Sequence, residues 1–247
     1  MKRTLLALST AVLALPLVQQ LSAQGDTRPT VAVLSFNTNI FGAGASDFGA
    51  LGTGVADLMT TELLRNGQIR VVERERIDAL LKEQDLGSTG RVDQATAVRM
   101  GKLLGARHMI LGDVTTTGID PKTRQPTEVT IAIRTVNSET SELQNLGDRL
   151  RGKPDDIGAL ILQATERAAR DLRLPAIPAG PARDAANEAA AVAKKAPFQT
   201  VMLYSRALEA QNNGKRDEAV TLYKQALDKF PEHEPSKAAL KKLGADF

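Results

Sequence analysis

The spacing of apolar residues changes repeatedly along this chain, and each change predicts an element. Residues 30–36 (TVAVLSF) are almost continuously apolar, as a strand buried on both faces should be. Val55, Leu58, Met59 and Leu63 then form one stripe of a helix for which Thr53 serves as cap and Gly67 as stop. In residues 68–87 (QIRVVERERIDALLKEQDLG) a short β-type run, Ile69, Val71 and Val72, turns at once into a helix with Ile77, Leu80 and Leu81 on one face. This stretch joins sheet and helix in one core, and the domain is expected to be organised around it. Glu73 and Glu75 lie near the positive end of that helix, Asp78 stands four residues before Lys82, and Gly87 closes it. Asp93 opens a further helix with Ala97, Val98, Gly101 and Leu104 on one side, and Gly105 stops it. Residues 108–114 form a second buried strand, and 120–127 (DPKTRQPT) a short polar turn. Residues 127–136 alternate, with Val129, Ile131 and Ile133 on one side and Glu128, Thr130 and Arg134 on the other, which predicts a half-exposed antiparallel strand. An edge strand within 142–151 and a helix over 154–172, with Ile157, Leu160, Ile161, Ala164 and Ala168 inward, complete the series. The sum is an α/β domain over residues 30–174, a mixed β-sheet with helices packed on it.

The pattern then changes character. Residues 175–197 are rich in alanine and proline and read as a linker with a short helix inside 184–195. Residues 198–247 keep a helical period throughout and form a small all-α helical-repeat module. Leu203, Ala207, Ala219, Tyr223, Ala226 and Pro231 resemble the packing residues of a tetratricopeptide repeat, with a third helix over 236–243. Arg206 departs from that pattern, because it stands where an apolar packing residue is usual. One repeat buries too little to stand alone, so the tail is expected to lean on the first domain or on another chain. The resemblance puts Tyr204, Leu208, Gln211 and Asn212 on the face that would hold a partner peptide, and the same face could instead pack on its own chain.

Composition adds limits. A chain of 247 residues with ordinary apolar and charged fractions holds one sizeable domain and a smaller one. Residues 1–23 read as a secretory signal, with Lys2 and Arg3 before an apolar centre and Leu21-Ser22-Ala23 as the exit. The apolar run is short for a spanning helix and contains Pro16. Lys2 and Arg3 are two of thirty-two basic residues set against twenty-nine acidic ones, so cleavage leaves a charge near +1 and little argument for a nucleic-acid partner. The chain has no cysteine, which excludes disulfides, thiolate metal sites and a lipid-bearing cysteine.

Candidate chemistry is sparse. The glycines after the first strand do not make a nucleotide cradle, since Asp47 stands where a dinucleotide fingerprint starting at Gly42 needs glycine. His108 opens a buried strand and His233 sits in a polar turn, so they read as a structural and a solvated histidine. Glu73, Glu75 and Asp78 alternate with Arg74 and Arg76, which reads as a salt-bridged helix start rather than an acid–base pair. No enzyme, metal or cofactor is expected.

The segments VAVLSF, LGTGVADLMTTELLRNGQIRVVERERIDALLKEQDLG, AVRMGKLLGARHMILGDVT and VTIAIRTVNSETSE together resemble the CsgG family, named for the outer-membrane curli secretion channel. The resemblance implies export, a cell-envelope setting in a diderm bacterium, and ring-like or partner-bound assembly without catalysis. A channel subunit of that type carries a lipidated cysteine and long membrane-inserting hairpins. This chain lacks cysteine, its hairpin turn is short, and its aromatic residues are few. The resulting expectation is a periplasmic protein, at most peripheral to the outer membrane, that binds envelope proteins or copies of itself. The alternative is a subunit of a curli-type secretion channel.

Overall fold

A computed structural model describes residues 26–41, 48–83, 93–143 and 149–247. The signal reading, the glycine-rich segment with Asp47, and the Gly87 helix stop lie outside the described residues. The sheet is mixed, in the order β3 (Arg70–Val71), β1 (Thr30–Val33), β4 (His108–Ile119), β5 (Pro126–Asn137), β6 (Arg149–Gly152), with β2 (Asn37–Phe41) also on β4. Both β1 and β2 run parallel to β4, at Val31 to Val33 beside His108 to Ile110 and at Asn37 to Phe41 beside Asp113 to Thr117. They are two halves of one strand, interrupted at Leu34 to Phe36. Leu34 still donates to Ile110 O at 2.8 Å, whereas Phe36 N turns to the carbonyl of Gly52 at 3.2 Å. Gly112 makes room for this bend, since a Cβ there would come within 2.3 Å of Ala132 O and 2.6 Å of the Phe36 ring.

The organising element is therefore β4, which pairs with β1, β2 and β5, and not residues 68–87. There the sheet has only the two-residue edge strand β3, and α2 (Arg74–Glu83) fully buries Ile77 alone. One sheet face is covered by α2 and α3 (Gln94–Leu104) over Ala32, Leu34, Met109, Leu111 and Val136. The other is covered by α1 (Leu51–Leu64) and α4 (Ile157–Asp171) over Val31, Val33, Ile110, Ile131 and Ile133. The sequence boundaries of α3 hold: the Asp93 side chain accepts from Thr96 N at 2.7 Å, and Gly105 takes φ 66°. Those of α1 do not. It begins at Leu51 without a side-chain cap on its first residue, and Thr38 in β2 accepts from Gly52 N at 3.1 Å, doing from a strand what Thr53 was expected to do.

Past the 3-10 turn Pro154–Asp156 and α4, the chain forms α5 (Pro181–Ala193), which buries no residue, then α6 (Phe198–Asn212), α7 (Arg216–Lys229) and α8 (Glu234–Lys242). The last three make a helical module with its own core of Tyr204, Ala207, Ala219, Leu222, Tyr223 and Leu240. The start of α6 belongs elsewhere: Phe198, Val201 and Met202 join the core of the α1–α4 face.

Candidate functional site

Two of the tail residues that the sequence singles out, Tyr204 and Asn212, meet residues of the α/β domain along one seam. Its geometry begins with small side chains. Gly54 in α1 faces Ser205 in α6 so closely that a Cβ would lie 1.8 Å from Ser205 Oγ. That hydroxyl donates to Val201 O at 2.6 Å, so Ser205 itself brings no orphaned polar group to the contact. Gly158 at the start of α4 similarly fits under the end of α5, where a Cβ would lie 2.5 Å from Ala193 O.

Beside this contact Tyr204 is only 3% exposed, and its hydroxyl donates to Asp57 Oδ2 at 2.5 Å. Burial holds the Tyr204 phenol well above its ordinary range, and the Asp57 carboxylate adds to this. Burial also raises Asp57, opposed by the Tyr204 hydrogen bond and by the Arg74 guanidinium. Arg74 in turn hydrogen-bonds Ser35 at the β1–β2 bend and pairs with Asp78 at 3.2 Å. Burial raises Asp78 against the pull of Arg74. Asn212 donates weakly to Asp78 at 3.4 Å, and Lys242 pairs with Glu75, whose carboxyl that hydrogen bond lowers.

The face assigned to a partner peptide is thus turned inward at Tyr204, where the ring packs at 5.0 Å edge-on to His233 and at 5.7 Å on Tyr223. Leu208 is half-buried against the tail's own core. Gln211 accepts from the Tyr223 hydroxyl at 3.0 Å, and Asn212 is exposed. The physical reason is Asp57, a polar acceptor on α1 that Tyr204 of α6 reaches. The reading of His233 as solvated is corrected: it is 3% exposed, with Nδ1 2.8 Å from Ser236 Oγ, and burial pushes it down to about 4. His108 is buried as expected, and burial lowers it too.

Chemically this seam is a clamp. A phenol held protonated against a carboxylate gives a short, charge-assisted hydrogen bond, with Tyr204 buried on α6 and Asp57 half-buried on α1. Among the described residues no group of three or more His, Cys, Asp or Glu side chains is placed to hold a metal ion. No helix there is long and apolar enough to cross a membrane. Sequence reasoning missed Asp57 and Ser205. The signal available was the pair Gly52 and Gly54, two small residues inside a helix, which mark close approach by another backbone.

Comparison with known proteins adds the following. A family model described as Curli production assembly/transport component CsgG matches residues 11–145. No match is found among curated proteins. Among solved structures the chain is similar to the LpoB C-terminal domain from Escherichia coli, at 15% identity and TM-score 0.36, covering 54% of this chain and 89% of that one. It is also similar to the PelC dodecamer from Paraburkholderia phytofirmans, at 12% identity and TM-score 0.32, covering 61% of this chain and 91% of that one. TolB from Acinetobacter baumannii aligns at 12% identity and TM-score 0.35, over 60% of this chain and 28% of that one.

Proposed function

The chain belongs to the CsgG family, whose model spans more than half of it, and from that premise we propose that it is an exported, non-catalytic protein of the cell envelope that acts as an interaction scaffold in the periplasm. The division of labour goes with the reading: residues 30–174 supply the family domain, 175–197 the connection, and 198–247 a tetratricopeptide-like module that recruits a protein partner. The observation that carries it is the clamp at Tyr204 and Asp57. It fixes a helical hairpin on a family domain, so that the two offer one composite surface to a partner. The buried Ala207, Ala219, Tyr223 and Ala226 support the repeat-like reading of that hairpin.

A channel subunit has less support. The long hairpin β4–β5 turns Val114, Val129, Ile131 and Ile133 onto the chain's own helices, where they are fully buried, rather than toward lipid. The test is fractionation of a diderm bacterium expressing the full chain, followed by mass spectrometry and chemical cross-linking. The expected result is a periplasmic species starting at Gln24 that cross-links to envelope proteins. A cytoplasmic species retaining Met1 would overturn the reading.

A further inference from the structure

Arg206, the residue that breaks the repeat pattern, is exposed on α6 and lines a cleft of about 550 Å³. The cleft lies between the turn joining β4 to β5, residue Phe48, and helices α6 and α7. Three cations border it, Arg124, Arg206 and Lys229, against one carboxylate, Asp228. None of the three is ion-paired among the described residues. Elsewhere Arg74, Arg134 and Arg151 are each held by a carboxylate. Arg124 is held there by the turn itself: the Asp120 carboxylate accepts from Lys122 N at 2.7 Å and Thr123 N at 3.1 Å, and Arg124 takes φ 58°.

The floor is apolar. Phe48 and Phe198 meet at 5.9 Å between ring centres, and Met202 lies beside them. Gln125, Gln199 and Gln225 complete the walls. Each amide carries both a donor and an acceptor, which is what an extended peptide backbone requires of its surroundings.

We propose that this cleft binds an acidic, extended segment of a partner protein, placing one apolar side chain beside Leu203, over the buried Phe48 and Phe198, between carboxylates that meet Arg124, Arg206 and Lys229. The proposal deepens the scaffold reading and rests on it, since it names the surface and the partner's chemistry. Uncompensated like charges around a concave apolar floor attract an opposite charge and discriminate against a basic one. The cleft needs both parts of the molecule: Arg124 comes from the α/β domain, and Arg206 and Lys229 from the tail.

The test is fluorescence anisotropy of the purified mature chain with a labelled nine-residue peptide of glutamates and aspartates around a central phenylalanine. Two comparison probes are the same peptide with glutamine at every acidic position, and vesicles of phosphatidylglycerol in phosphatidylcholine. The acidic peptide should bind at least about tenfold tighter than the neutral one, and more weakly as salt rises. Arg124→Glu with Arg206→Glu, both exposed positions, should lose that preference at an unchanged thermal midpoint, and a lysine-substituted peptide should bind the variant better than the wild type. Equal binding of acidic and neutral peptides, an unaffected double variant, or vesicles bound through these arginines while the peptide is not, would each overturn the proposal. If the wild type shows no envelope cross-links in cells, the scaffold reading fails on its own, and the peptide titration still decides the cleft.

Discussion

The two faces of the sheet are built to different depths. On the α2–α3 side, among the described residues, one layer of helices covers Ala32, Leu34, Met109 and Leu111, with α2 fully burying only Ile77. On the α1–α4 side a second helical layer follows, because α1 is buried on its sheet side through Val55 and Met59 and approached from outside by α6 at Gly54. A surface helix needs one apolar stripe, whereas a helix between two layers needs small residues on its second side. The difference teaches that the tail is the outer layer of one face of the fold, attached by side chains that also sit in that face's core.

The comparison breaks most sharply at Phe198, which is 1% exposed and shared between tail and sheet. Phe198→Ala should cost about 4 kcal/mol in urea unfolding and loosen α6 to proteolysis, whereas Ile77→Ala on the thin face should leave α6 protected. Next comes Gly54→Val, which has no space against Ser205. It should cost about 3 kcal/mol and expose the 175–197 stretch to cleavage without loss of the sheet's circular-dichroism signal.

A third prediction concerns acid. His233 is held neutral, with its pKa down at about 4 from an ordinary 6.5, so the unfolded chain takes up this proton first as pH falls. Its contribution is complete above about pH 6.5 and is lost as pH falls toward 4, on the order of 2 kcal/mol. Glu234 pulls the other way on the imidazole, and Asp57, raised by burial, gains stability as pH falls through its own titration. Stability measured from pH 7 to 4 for the wild type and His233→Phe isolates the histidine, and the variant should lack the loss. The smallest effect is Tyr204→Phe, which keeps the ring contacts and removes the donor to Asp57. It should cost about 1 to 2 kcal/mol, and the wild-type cost should shrink where Asp57 is protonated.

Much of this fold was legible because its signals are local. Asp93 and Gly105 bound α3 by their own backbone chemistry, and the alternation of Val129, Ile131 and Ile133 marks β5. What escaped was set by partners far away in sequence. The β1–β2 bend depends on Gly112 and on Arg74 reaching Ser35, and the start of α1 on Thr38. The apparent centre at residues 68–87 has strong local propensity yet lies at an edge, because β4 carries the pairing on both sides. Tyr204 looked like a docking residue since an amphipathic tyrosine fits either a peptide or a buried carboxylate, and the carboxylate is Asp57, 147 residues earlier. Arg206 was visible as an exception but not as part of a cleft, since Arg124 and Phe48 reach it only through the tertiary fold.

The claim that the tail is a layer of the domain is tested most directly by native-state hydrogen exchange of the full mature chain. The account predicts that amides in α6 near Val201 and Ser205 open with a free energy within about 1 kcal/mol of those in β4 near Ile110, because freeing α6 uncovers Phe198 and the α1 core together. If α6, α7 and α8 exchange together at about 3 kcal/mol or more below β4, the tail is a separable module and the account is wrong.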